Sequence, residues 1–175
     1  MTYKEYLEHS KKIKISKNFT QYDICHSDTA LSKGINNIPP VNVIQNATIL
    51  AKNLLEAITG YYNKPLAISC IFRCEALNKL LGGAVASQHE TGEACDFTIS
   101  GIDCKNIFND IISGKIKLGT IPISQILGQL IYEVKTKPDG SKAIWIHISN
   151  PTNLIKKEFL TSLNGHYTNI TKEIA

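Results

Sequence analysis

The chain has 175 residues, of which 43% are hydrophobic and 19% are charged, and its formal net charge is +4. This length and composition predict one globular domain, residues 1–175, and exclude a disordered or fibrous protein. The excess of lysine is mild, and a solvated surface explains it better than an anionic polymer partner does.

The N-terminal stretch MTYKEYLEHSKKIKISK is polar and rich in lysine. It predicts neither a secretory leader nor a membrane-spanning segment. The five cysteines are odd in number, and Cys70 and Cys74 have no second pair at the spacing of a zinc site. We therefore expect synthesis in a reducing cytoplasm with mostly free thiols, no membrane partner, and a monomer.

Hydrophobic periodicity divides the chain into three parts. Residues 1–40 are expected to form an approach segment ending at GINNIPP, residues 41–160 the core of the domain, and residues 161–175 a C-terminal tail. Apolar residues at helical spacing from Ile44 to Ile58 predict the first core helix. The elements predicted next are a strand at KPLAISCIF, a helix at CEALNKLLGG, a strand at ACDFTIS, and a helix at IDCKNIFNDIISG with Asp103 as its N-cap.

The stretch QLIYEVKTKPDGSKAIWIHIS predicts a β-hairpin, because two alternating apolar runs flank a Pro-Asp-Gly turn. The three isoleucines of its second strand, Ile144, Ile146 and Ile148, are expected to face the core. Alternation then places His147 on the opposite face, where Glu133 of the first strand joins it if Tyr132 packs inward. Trp145 on that open face either lines a substrate groove or only packs.

The stretch SQHETGEACDF holds two candidate metal ligands, His89 and Asp96, with Gly92 between them to let the chain turn. His147 can supply a third ligand, and two imidazoles with one carboxylate leave a fourth zinc position open. Taken singly, each residue is more often an ordinary loop or strand residue than a ligand. The spacing alone leaves both interpretations open.

The stretch ISCIFRCEALNKLLGGAVASQHETGEACDF resembles the M15 zinc peptidases, whose pattern combines a strand, an arginine and asparagine segment, paired glycines, Ser-x-His and Gly-x-Ala-x-Asp. QLIYE, WIHIS, NFTQYDICHSDTA and GINNIPP extend the similarity over residues 18–160. The resemblance is to the D-Ala-D-Ala carboxypeptidase and phage endolysin-like branch. It implies an α+β fold of the hedgehog/DD-peptidase type, with a mainly antiparallel sheet and helices packed on one side.

The resemblance also implies roles for individual residues. His89, Asp96 and His147 become ligands of Zn²⁺, and Arg73 becomes the residue that binds the substrate carboxylate. Without the family, Arg73 is equally well explained as a surface residue that pairs with Glu75. Ser87 either hydrogen-bonds the substrate or caps the loop.

The general base is less directly implied, because the glutamate that many relatives place three residues before the last histidine is Ile144 in this chain. We expect Glu133 on the neighbouring strand to take this role, as in the related hedgehog domain. Glu90 and Glu93 are the rival candidates, although loop glutamates beside a ligand more often face solvent.

The function implied is that of a zinc metallopeptidase that hydrolyses peptidoglycan stem peptides containing D-amino acids. It is either a D-Ala-D-Ala carboxypeptidase or a phage-type endopeptidase, in which Glu133 accepts a proton from the attacking water and Arg73 anchors a carboxylate. The expected place of action is the cell wall, reached on a virion or through a holin pore during phage lysis.

Two alternatives come from other classes. A non-catalytic zinc-binding module, such as a phage structural or cell-wall-binding component, is favoured by the missing glutamate before His147. Nucleic-acid binding rests only on the lysines, with no aromatic or basic motif, and is not expected.

Overall fold

The computed structural model describes residues 1–174, which form an α+β fold with the predicted helices and strands. The helical elements are α1 (Tyr3–Ser10), α2 (Gln21–Cys25), α3 (Asp28–Lys33), α4 (Val41–Leu50), a π-helical turn (Ala51–Leu55), α5 (Glu56–Tyr62), α6 (Glu75–Leu80), α7 (Cys104–Ile112), a 3₁₀ turn (Ile123–Gln125) and α8 (Thr171–Ile174). The strands are β1 (Leu66–Cys70), β2 (Ala94–Ile99), β3 (Lys117–Leu118), β4 (Ile121–Pro122), β5 (Gln129–Thr136), β6 (Lys142–Ser149), β7 (Glu158–Leu163) and β8 (His166–Asn169).

Six strands form one sheet in the order β1-β2-β6-β5-β7-β8, and β3 pairs with β4 in a small separate hairpin. All neighbours in the large sheet are antiparallel except β5 and β7, which run parallel. The prediction of a mainly antiparallel sheet is therefore confirmed, with one parallel pairing that makes the sheet mixed.

The core lies between one face of this sheet and the helices that pack on it. Elements α4 and α5 form one continuous helical segment through the π-helical turn, and their apolar side chains meet Phe97, Ile146 and Ile148 in a single buried cluster. Helix α7 joins this cluster through Ile107, Phe108 and Ile111, and Asp103 caps it by accepting a hydrogen bond from the Lys105 amide at 2.6 Å. The opposite face of the sheet is left for the site.

The β5–β6 hairpin has the predicted alternation. His147 lies opposite Ile131, and Glu133 lies opposite Trp145, so both polar residues belong to the face away from the core. Ile146 and Ile148 are fully buried, but Ile144 is 37% exposed because it lies near the turn end of the strand, beyond the well-covered part of the sheet. The expectation that all three isoleucines enter the core is wrong at that position.

Strands β7 and β8 were not predicted, although they extend the sheet on the side of β5. They form a hairpin whose two loop residues, Asn164 and Gly165, have φ values of 52° and 81°. Asn-Gly with two positive φ angles is typical of the tight turns whose twist matches that of antiparallel strands. These strands bring a further row of side chains to the open face.

Candidate metal centre and cleft

The structure brings His89, Asp96 and His147 together from three parts of the chain. His89 lies in the loop that leads into β2, Asp96 lies within β2, and His147 lies directly opposite Asp96 on β6. One ligand atom from each residue lies within 4.8 Å of the others. The sheet register therefore fixes two members of the group, and the loop supplies the third.

The Asp96 carboxylate lies between the two imidazoles. Its Oδ2 is 3.3 Å from His89 Nε2, and its Oδ1 is 2.8 Å from His147 Nδ1. The second nitrogen of His89, Nδ1, donates to the carbonyl oxygen of Ile71 at 3.0 Å. Because a carbonyl can only accept, this contact keeps a proton on Nδ1 and directs Nε2 towards Asp96.

Burial and mutual attraction set the charges in this group. Burial alone would lower the pKa of His89, but Asp96 and Cys70 outweigh it and raise this pKa to about 10. Burial alone would raise the pKa of Asp96, yet His89 and His147 hold it well below its ordinary value. Burial lowers the pKa of His147 below its ordinary value, against the attraction of Asp96. The Asp96 carboxylate is therefore ionised. It attracts imidazole protons to the positions between the three side chains that a metal cation would take.

The group lies in an open cleft of about 790 Å³ on the free face of the sheet. Glu133 and Arg73 also line this cleft, together with Trp145. The rival glutamates Glu90 and Glu93 are not among the described residues that line it. Of the three glutamates considered as the general base, Glu133 is therefore the one whose location in the described structure suits that role.

Glu133 is only partly accessible, and its environment favours the neutral acid. Burial, assisted by the negative charge of Asp96, raises the pKa of Glu133 to about 7, although His89 and Arg73 act in the opposite direction. A carboxyl group that exchanges its proton near neutral pH is suited to general acid–base chemistry.

Arg73 follows β1 and lines the cleft. Its Nε is buried and has no hydrogen-bond partner among residues 1–174. Within the same residues Arg73 forms no ion pair, so the pairing with Glu75 considered from the sequence is wrong. An unpaired guanidinium in a cleft is suited to an anionic ligand.

Ser87 lines the same cleft and also stabilises the loop before His89, whose amide donates to Ser87 Oγ at 3.3 Å. The loop-capping interpretation of this serine is thus observed in the structure.

Two segments of the cleft were missed by sequence reasoning. One is the loop of residues 81–86, in which the Val85 side chain is 98% exposed and Ala86 has a φ of 57°. The other is the β7–β8 hairpin, which contributes Leu160 and Tyr167. The alternating apolar residues of EFLTSL before Asn-Gly are the signal that could have predicted this second wall.

A buried His–Asp–His group beside a carboxyl group of raised pKa, in an open cleft, is the arrangement that metal-dependent hydrolases use. The chain belongs to a family of this kind: the family model described as Peptidase M15 matches residues 17–116. That match includes Arg73, His89 and Asp96, whereas Glu133 and His147 lie beyond it and join the same cleft through the sheet.

Comparison with curated proteins finds no match, and neither does comparison with solved structures. Within residues 1–174, no helix has both the length and the apolar character needed to cross a membrane.

Proposed function

We propose that this peptidase is a zinc enzyme that hydrolyses peptide bonds in peptidoglycan stem peptides containing D-amino acids. The observation that carries the proposal is the shared cleft, in which Glu133 lies one strand away from His147 on the open face. Membership of the M15 family supports peptide hydrolysis, and the residues of the cleft supply the groups that this reaction needs.

The donor atoms fit a zinc ion. The atoms that converge on the Asp96 carboxylate are His89 Nε2 and His147 Nδ1, and this set of two imidazoles and one carboxylate is one that catalytic zinc uses. We assign these three residues as the ligands. A bound zinc would polarise the substrate carbonyl and lower the pKa of water in the cleft.

Glu133 is the proposed general base. In this role its carboxylate accepts a proton from the attacking water and then donates it to the amine that leaves. In the metal-free protein the pKa of Glu133 is about 7, so this carboxyl group exchanges its proton close to neutral pH. Glu90 and Glu93 are less suitable for this role, because neither is among the described residues that line the cleft.

Arg73 is the proposed carboxylate-binding residue. Its planar guanidinium can form two parallel hydrogen bonds to a carboxylate, and the buried Nε has no competing partner among the described residues. A terminal carboxylate held here favours carboxypeptidase action, whereas a side-chain carboxylate held here is compatible with an endopeptidase. Ser87 is the proposed second polar contact with the substrate.

A peptidoglycan substrate also defines where the enzyme would act. We extend the proposal to the cell wall, with the protein either carried on a phage particle or released during phage lysis. The finer identity of the cleaved bond depends on which part of the stem peptide offers its carboxylate to Arg73.

The test is to incubate the zinc-loaded protein with peptidoglycan and with free stem peptides and to identify new termini by mass spectrometry. Release of D-alanine would identify a carboxypeptidase, and internal cleavage an endopeptidase. Chelation and Glu133→Gln should each remove most turnover, whereas Glu90→Gln, the matched control, should retain it. No cleavage by the zinc-loaded protein would favour a non-catalytic zinc-binding module.

A further inference from the structure

The side chain of Asn37, which lies far from Arg73 in the sequence, binds the segment that carries Arg73. Asn37 lies in GINNIPP, after α3, and its side chain is fully buried. Its Nδ2 donates to the carbonyl oxygens of Cys25 at 2.9 Å and Phe72 at 3.2 Å. Its Oδ1 accepts from the Cys74 amide at 2.8 Å. Asn37 therefore binds the main chain on both sides of Arg73.

The same segment also contacts the candidate metal centre. The Arg73 amide donates to the His89 carbonyl oxygen at 3.1 Å, and the Ile71 carbonyl oxygen accepts from His89 Nδ1 at 3.0 Å. The Phe72 amide donates to the Ile24 carbonyl oxygen at 2.9 Å. Residues 71–74 thus connect the N-terminal helices with the loop that carries His89.

Arg73 depends on this anchoring because it lies in the irregular segment between β1, which ends at Cys70, and α6, which begins at Glu75. No strand pairing fixes its main chain at this point, so hydrogen bonds from outside the sheet must do so. The carboxamide of Asn37 satisfies one acceptor and one donor on the flanking residues. Its loss would leave a buried carbonyl group and a partly buried amide unpaired unless the segment moves.

We propose that Asn37 is a positioning residue for substrate recognition, which acts by fixing the main chain of residues 72–74 so that Arg73 meets the substrate carboxylate. This inference rests on the proposed function of Arg73. A displacement of about 1 Å at a positioned group is enough to cost up to about a hundredfold in turnover efficiency, so a fixed main chain matters here.

The first test measures the structure without substrate. Amide hydrogen exchange and ¹⁵N NMR of the Arg73 Nε–H are recorded for the native chain, Asn37→Ala and Asn37→Asp. The Ala variant should lose protection of the Cys74 amide and shift the Arg73 Nε–H signal. Asn37→Asp can accept from that amide and, when protonated, donate to one of the two carbonyl oxygens, so it should preserve more of the amide's protection and keep the test independent of the Ala variant. Asn36→Ala is the matched control, because Asn36 is exposed and its side chain accepts a hydrogen bond from the nearby Ile38 amide.

The second test uses two peptides that differ only in a terminal carboxylate or a terminal amide. Asn37→Ala should raise KM for the carboxylate peptide about tenfold, the order expected for one lost buried hydrogen bond. KM for the amide peptide, and kcat for both, should change less than about twofold. In an Arg73→Ala background the Asn37 substitution should add nothing.

The outcomes separate this inference from the proposed function. If the native chain cleaves no peptide, the proposed function fails, and the exchange and NMR measurements alone decide the role of Asn37. Unchanged protection of the Cys74 amide in Asn37→Ala overturns the inference. Equal losses on the two peptides overturn it as well, since a merely structural residue would weaken both.

Discussion

Replacing Glu133 by Gln should stabilise the metal-free protein while removing its activity. Burial and the charge of Asp96 raise the pKa of this carboxyl from its ordinary value of 4.5 to about 7. The folded protein therefore retains a proton on Glu133 in a pH range where the unfolded chain has already lost it. Stability from this group is fully present below about pH 4.5 and is lost as the pH rises towards 7.

The size of the effect follows from that pKa. At about 1.36 kcal/mol for each pH unit, the ionised carboxylate destabilises the folded state by at most about 3 kcal/mol above pH 7. Glu133 lies in an open cleft, so solvent screening reduces this to about 1–2 kcal/mol. Glutamine has nearly the same shape and no charge, and it should recover this amount.

The assay is urea unfolding of the chelator-treated protein at pH 8 and at pH 5. At pH 8, Glu133→Gln should have a free energy of unfolding about 1–2 kcal/mol higher than the native chain, and the difference should shrink at pH 5. Glu90→Gln, outside the cleft, should change it by less than about 0.5 kcal/mol at both pH values. A Glu133→Gln variant that is no more stable at pH 8 would refute a desolvated Glu133.

Three further predictions concern the metal centre and Arg73. His147→Ala should abolish stoichiometric zinc binding in calorimetry, because His89 and Asp96 alone leave only two protein ligands. Zinc affinity should rise with pH between 6 and 8, since zinc must displace the proton that Asp96 stabilises on His89, and calorimetry in buffers of different ionisation enthalpy should detect its release. Arg73→Lys should raise KM for peptides with a free carboxylate about tenfold, as an ammonium cannot form the two-pronged contact, and unchanged KM would exclude that contact.

The sequence predicted most of the site because its residues lie on regular elements. Alternation along β6 places His147 opposite the isoleucines, and pairing with β5 brings Glu133 to the same face. The antiparallel register of β2 with β6 then places Asp96 directly beside His147, a relation that no local pattern specifies. The family pattern supplied that long-range pairing in advance.

The parts that sequence reasoning missed depend on tertiary contacts. Strand β7 pairs in parallel with β5. Parallel partners need a long connection between them, so the local sequence pattern indicates this pairing only weakly. The role of Asn37 depends on main-chain groups of residues 72 and 74, which hydrophobic periodicity cannot reveal. Hydrophobic periodicity predicts helices and strands and the face of each that is buried, whereas buried polar contacts form only once the chain is folded.

Peptide hydrolysis by this protein should require one zinc ion at His89, Asp96 and His147. The most direct measurement follows cleavage of a stem peptide while the metal-free protein is titrated with zinc. Activity should rise linearly and stop at one equivalent of zinc per chain, and His147→Ala should gain no activity. Cleavage that persists without metal, or that is fully recovered in His147→Ala, would contradict this requirement.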